Sequence, residues 1–144
     1  DYLHWFFGNP VDVQAQIRNS GTLDINVEDQ ADLLITSKQG YPITVQIDFN
    51  RRHIERKCKV LTTEGELIWD AVNKNVTWKG VNKEQSKYEY NNERNSIYRK
   101  QLEVFFDCIE NDNDPIVTVK DGINVISLID AVRNASEKGI KVSL

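Results

Sequence analysis

The last thirty-one residues, Asp114 to Leu144, constrain the fold more than any other stretch (DPIVTVKDGINVISLIDAVRNASEKGIKVSL). They write out one long helix with both of its ends. Thr118 and Asp121 have the spacing of a capping box, in which each side chain satisfies a backbone N–H that the first turn leaves free. Val125, Ile126, Ile129 and Val132 recur at the spacing of one helical face. Arg133 and Lys138 lie near the end, where the helix dipole favours positive charge, and Gly139 is placed to take the left-handed conformation that stops a helix. Ile140, Val142 and Leu144 then alternate with Lys141 and Ser143, as in a short strand with one buried face. A helix this apolar needs a sheet to cover.

The middle of the chain supplies strands. Val11 to Asn19 alternates apolar and polar residues. Asp29–Ser37 and Ile43–Arg51 read as a hairpin across Lys38-Gln39-Gly40, with Ile43, Val45, Ile47 and Phe49 facing one way and Thr44, Gln46, Asp48 and Asn50 the other. Glu55–Thr63 and Glu66–Val72 form the next hairpin over Glu64-Gly65, and Val76–Lys79 adds a further partner. Gly80 to Asn92 is polar, a loop with at most a short strand near Tyr88. A second helix is expected over Ser96 to Glu110, with Tyr98, Leu102, Phe105, Phe106 and Ile109 on its apolar face. Both long helices follow the strands, so the class is α+β: an open-faced, largely antiparallel sheet of five to seven strands with helices covering one face. The other face, with Gln46, Asp48 and Asn50, is free to pair with a second copy of itself.

At 144 residues the chain is read as one domain, residues 1–144. A net charge of −4 opposes binding to nucleic acid or an acidic membrane, since both need a basic face. No apolar run approaches the ~20 residues that span a bilayer, and no signal peptide is visible, so a cytoplasmic location is expected. Cys58 and Cys108 are read as two buried free thiols; with only His4 and His53 beside them they form neither a disulfide framework nor a metal site. The seven glycines fall singly at turns or element ends, so no glycine-rich phosphate loop is present. No Ser-His-Asp or Cys-His grouping stands out. Asn75-Val76-Thr77 and Asn134-Ala135-Ser136 match the glycosylation pattern by chance. The run Arg51-Arg52-His53-Ile54-Glu55-Arg56-Lys57-Cys58-Lys59 is read first as a solvated connection and second as an anion-binding edge at which Arg52 meets the phosphate or carboxylate of a sugar derivative. The chain has no methionine and opens inside an aromatic, amphipathic helix, Asp1 to Phe7 closed by Gly8, as a piece of a longer protein would.

Several stretches resemble the C-terminal domain of the Gfo/Idh/MocA oxidoreductases, the glucose–fructose oxidoreductase and inositol dehydrogenase family. DYLHWFFG is similar to the helix after that family's active-site His-x-x-Asp. EDQADLLI with GYPITVQIDFNRR resembles its first central hairpin, and TTEGELIWD its Gly-turn hairpin. NSIYRKQLEVFFDCIEN and PIVTVKDGINVISLIDAVRNASEKGIKVSL resemble its two closing helices. The resemblance implies a sheet domain that shapes a substrate pocket and makes a homodimer. The parent would be an NAD- or NADP-dependent dehydrogenase acting on a hydroxyl-bearing carbon of a sugar or sugar nucleotide. The cofactor and the catalytic Lys of the family belong to an upstream Rossmann domain, and its catalytic His would sit three residues before Asp1, so these residues alone are expected to carry no catalytic group, no cofactor and no metal. Only Asp1 matches the active-site motif, as its last Asp, where it would help hold a substrate hydroxyl. The alternative from a different class is a non-catalytic α+β ligand-binding or interaction module.

Overall fold

The computed structural model describes residues 2–144. The elements run α1 (Tyr2–Phe7), β1 (Pro10–Arg18), β2 (Gln30–Ser37), β3 (Pro42–Asp48), β4 (Lys57–Leu61), β5 (Gly65–Asp70), β6 (Asn75–Gly80), β7 (Gln85–Glu89), α2 (Arg94–Asn111), α3 (Val119–Lys138) and β8 (Val142–Ser143). The α+β class holds and every pairing is antiparallel. The strands are shared between two four-stranded sheets, ordered β3-β2-β1-β8 and β4-β5-β6-β7, rather than forming one sheet of five to seven. The break falls at residues 49–56, where the charged run Arg51 to Arg56 replaces the apolar alternation that a continuing strand needs. The chain correspondingly divides into two compact units, one of residues up to Arg51 with Ile116–Leu144, the other Arg52–Pro115. Among the described residues no helix is long and apolar enough to cross a membrane.

In the first unit, α3 lies on one face of its sheet. Val13 of β1, Ile35 of β2 and Ala131, Val132 and Ala135 of α3 form the buried core, with Leu3, Ile17, Leu33, Ile43, Val45 and Leu128 packed around it. The inward stripe of α3 therefore runs Val125, Leu128, Val132 and Ala135, while Ile126 and Ile129, expected on that face, are exposed. The helix carries two apolar stripes, and the one with alanines wins because small side chains let its backbone approach the sheet. Both helix ends match their sequence signals. Asp121 donates its N–H to Thr118 Oγ1 (3.3 Å), and Thr118 donates its N–H to Asp121 Oδ2 (2.8 Å). The Thr118 hydroxyl, by donating to Asp121, holds that carboxyl below the usual carboxylate range. Gly139 has φ of 63°, and its N–H bonds Ala135 O. The two-residue β8 then pairs with Asp12 and Val13 only. Farther along β1, Ser136 of α3 takes over, accepting the N–H of Ile17 at 2.9 Å on the flank that β8 does not reach.

The second unit holds the β4–β7 meander and α2. Cys58, Trp69, Val76 and Tyr88 stand side by side on one face, next to the row Val60, Leu67, Trp78 and Ser86. Trp69 Nε1 donates to Tyr90 Oη at 2.8 Å, and Arg56 lies 5.6 Å from the centre of the Trp69 ring. The opposite face carries Lys57, Lys59, Glu66, Asp70 and Lys79, paired as Lys59–Glu66 (3.1 Å), Lys79–Glu66 (3.8 Å) and Lys57–Asp70 (3.8 Å). The expected short strand near Tyr88 is β7. Helix α2 spans the expected residues, but Tyr98, Leu102, Phe105, Phe106 and Ile109 are all exposed, so covering a sheet falls to α3.

Candidate substrate-shaping and pairing face

The candidate site is the side of the first sheet that α3 leaves uncovered. The register of β1, β2 and β3 sets Gln14, Leu34 and Thr44 in one row across the sheet and Gln16, Asp32 and Gln46 in the next. These six side chains line a shallow trough. Gln46 Nε2 donates to Asp32 Oδ1 at 3.0 Å, and Arg51 donates to Gln46 Oε1. At the far side of the sheet, Lys141 pairs with Asp12 at 2.7 Å. The hydrogen bond from Lys141, with a second from Thr36, holds the Asp12 carboxyl below its ordinary value. The trough is thus a surface of neutral amides, one hydroxyl and a hydrogen-bonded carboxylate, with an exposed leucine at its centre. It offers donors and acceptors to a hydroxyl-rich ligand or to a second protein surface, but no nucleophile and no acid–base pair.

Of the residues expected on this face, Gln46 is there, whereas Asp48 and Asn50 are used locally. Asp48 Oδ1 accepts the Asn50 N–H (2.8 Å), and the Asn50 amide donates to Asp29 (3.0 Å) and Ser20 (3.2 Å). Thr44 is there too, as the alternation of β3 sets it, whereas Gln14, Gln16, Asp32 and Leu34 were not singled out from the sequence. The signal that finds them is the period-two alternation of β1 and β2 read against that of β3. Asp1 lies outside the described residues. Arg52 is exposed in the connection before β4. Around it Lys57 pairs with Glu55 at 3.2 Å and with Asp70, Lys59 pairs with Glu66, and Arg56 sits over Trp69. The charged run is therefore largely partnered within the chain.

Cys58 and Cys108 are free thiols, half-buried rather than fully buried, and burial pushes the Cys58 thiol up from its ordinary value. Among the described residues no group of His, Cys, Asp or Glu is arranged to hold a metal. The segments that lead into α2 (residues 90–93) and α3 (residues 112–118) contain no glycine, so neither helix N-terminus offers the close backbone approach that a nicotinamide dinucleotide's pyrophosphate needs. These residues do not fit that cofactor.

Solved structures with this fold share little sequence with the chain. Over 98% of this chain, aldose-aldose oxidoreductase from Caulobacter crescentus, complexed with glycerol, superposes with a TM-score of 0.82 at 20% identity. Levoglucosan dehydrogenase, in complex with NADH and levoglucosan, gives 0.87 at 13% identity over 99%. The WlbA dehydrogenase from Bordetella pertussis, in complex with NADH and UDP-GlcNAcA, gives 0.76 at 18% identity over 99%. The chain spans less than half the length of each, 43%, 47% and 44% respectively. No curated protein sequence matches it. The family model for the oxidoreductase family, C-terminal alpha/beta domain, matches residues 1–144, and the chain belongs to that family, the Gfo/Idh/MocA oxidoreductases.

Proposed function

We propose that this chain is the substrate-shaping and self-pairing domain of an enzyme that moves a hydride between NAD or NADP and a hydroxyl-bearing carbon of a sugar or sugar nucleotide. The observation that carries the reading is the uncovered polar face of the first sheet, which has no helix of its own unit above it and is built from groups that hydrogen-bond well. Support for the substrate class comes from the similar structures, which hold glycerol, levoglucosan or UDP-GlcNAcA. Two of them hold NADH as well. When bound in the parent, the nicotinamide supplies or accepts the hydride. The residues of this chain would hydrogen-bond and orient hydroxyl groups or pair two copies, and Asp1 and Arg52 are the side chains proposed to reach substrate. The parent protein, expressed from the complete gene, should reduce NAD or NADP in the presence of aldoses or nucleotide sugars. NADH titrated against the 144-residue chain alone should keep its fluorescence unchanged. Saturable binding to the chain at micromolar concentration, or a parent that binds no nicotinamide, would overturn this assignment.

The pairing has its own test. Leu34 is on the uncovered face of β2, between Gln14 on β1 and Thr44 on β3, and is 43% exposed. A two-fold axis near it lets the patch meet itself, burying on the order of 1,200–2,000 Å² in total. Leu34→Arg would then place two like charges close together in the interface, at no cost to the core beneath α3. Sedimentation equilibrium should show a dimer for the native chain at tens of micromolar and a monomer for Leu34→Arg, with equal melting temperatures. A native monomer, or a dimer indifferent to Leu34→Arg, rules out pairing through this face.

A further inference from the structure

We propose that the outer edge of β7 pairs with the same edge of a second copy of this chain, antiparallel and in a register centred on Tyr88. β7 is the last strand of the second sheet, and among the described residues no strand pairs with its outer side. All five of its residues are exposed. The hydrogen bonds at its two ends fix which backbone groups are available. Gly80 N–H bonds Glu84 O, and Tyr90 N–H bonds Lys74 O. In an antiparallel ladder that pattern turns the even-numbered residues of β7 toward β6 and leaves the N–H and C=O of Gln85, Lys87 and Glu89 pointing outward. A free edge of this kind is a template for another strand.

Self-pairing about a two-fold axis must set outward residues against outward residues, so the axis falls at residue 86, 87 or 88. Centred on Lys87, the register places two lysines opposite each other. Centred on Ser86, it sets Glu89 against Lys83, which is in the turn before the strand with φ of 68° and cannot continue a ladder. Centred on Tyr88, it sets Lys87 against the second copy's Glu89 twice over, and Gln85 against Asn91. Within one chain Lys87 Nζ already lies 2.5 Å from Glu89 Oε1, so the two copies would close a square of alternating charge on one face of the seam. The opposite edge of the same sheet lacks this complementarity. The bonds Ala71 N–H to Arg56 O and Thr62 N–H to Gly65 O leave Lys57, Lys59 and Leu61 of β4 facing outward, and self-pairing there sets lysine against lysine when centred on Cys58 or Lys59 and lysine against leucine when centred on Val60, never against a carboxylate. That edge is blunted by like charge, as edge strands commonly are, and the β7 edge is not.

The seam is short, so the test is one that captures weak pairing. Tyr88 and its counterpart occupy a non-hydrogen-bonded pair, with Cβ atoms about 5 Å apart, within reach of a disulfide after a small adjustment. In a Cys58→Ala, Cys108→Ala background, Tyr88→Cys should form a disulfide-linked dimer in a glutathione buffer. Lys87→Cys, one residue off the axis, should link several-fold less. Adding Lys87→Glu to Tyr88→Cys should cut the yield several-fold, and Lys87→Glu with Glu89→Lys should restore it. Linkage of Tyr88→Cys no greater than that of an exposed Lys120→Cys control, stronger linkage at position 87, or failure of the charge swap to restore it overturns the proposal. The native chain gives a second readout that needs no substitution. Raising its concentration should slow amide exchange at Gln85, Lys87 and Glu89 but not at Lys57 and Lys59, and unchanged exchange at all five also overturns the proposal.

Discussion

Replacing Gly65 by alanine will destabilise the chain by roughly 2–4 kcal/mol, read as a fall in the urea midpoint. Gly65 opens β5 just after the β4–β5 turn, with φ of 157°, a region that side chains rarely enter. Its partner across the ladder is Gly80, so two glycines face each other where the turn presses on the end of β6. A Cβ at position 65 would sit 2.3 Å from Lys79 O, 2.9 Å from the Gly80 Cα and 2.9 Å from Trp78 Cζ2. Two of those three neighbours are backbone atoms, which cannot rotate away, so the strand itself must shift. The turn has little slack, because Thr62 Oγ1 accepts the N–H of both Glu64 (3.2 Å) and Gly65 (3.1 Å). Gly21→Ala separates the two causes. It too has positive φ, 72°, but nothing lies within 4 Å of the added carbon, so only backbone strain of about 1–2 kcal/mol applies. Equal midpoints for the two variants would show that the close approach at Gly65 does not govern the turn.

The Gly65 turn was legible as a turn, from Glu64-Gly65 between two apolar runs, but the Gly65–Gly80 approach was not, because it joins positions in different hairpins. The same division holds elsewhere. Local signals were reliable: the Thr118–Asp121 box, the Gly139 stop and the alternation from Ile43 to Ile47 all stand where the spacing put them. Relations between elements were not. The strand order depends on which runs stop pairing, and the charged stretch after Phe49 ends one sheet rather than turning a corner within it. The inward face of α3 was misread because large isoleucines were weighted over Ala131 and Ala135, although close packing against a sheet favours the smaller pair. Asp48 and Asn50 have the right parity for the open face, but short polar side chains at a strand end bond the nearest backbone instead. For the site, sequence pattern alone carried the uncovered face with Thr44 and Gln46, and the lining residues of β1 and β2 became visible only once the register aligned those strands.

Replacing Asp29 will produce the other large loss, and one that depends on pH. Asp29 is 1% exposed and precedes β2, where it holds together three chain segments that the sequence keeps far apart. Its Oδ1 accepts the Ser20 N–H at 2.9 Å; its Oδ2 accepts the Ser20 hydroxyl at 2.5 Å and the Asn50 amide at 3.0 Å. Its own N–H bonds Arg18 O, and its C=O takes the Phe49 N–H, both at 3.0 Å. The ends of β1 and β3 are thereby tied to the start of β2. Asp29→Ala leaves three donors without their acceptor, the costly half of a broken hydrogen bond. Asp29→Asn keeps the shape but sets one amide NH₂ against that of Asn50. If Asn50 flips to accept, its own NH₂ takes the place of Oδ1, which has no hydrogen-bond partner among the described residues. Both variants should therefore melt several degrees below the native chain at pH 7, with alanine the lower. The pH dependence follows from the same bonds. The Ser20 hydroxyl first, and then the Asn50 amide, hold the Asp29 carboxyl below its ordinary value. A carboxyl depressed in the folded state contributes stability that is fully present above the unfolded value, about 3.9, and is lost as pH falls through the lower folded value. The native chain should thus lose melting temperature more steeply below about pH 4 than Asp29→Asn does, so that the two curves converge in acid. Curves that stay parallel down to pH 2 would show that the Asp29 carboxylate does not lock the three segments.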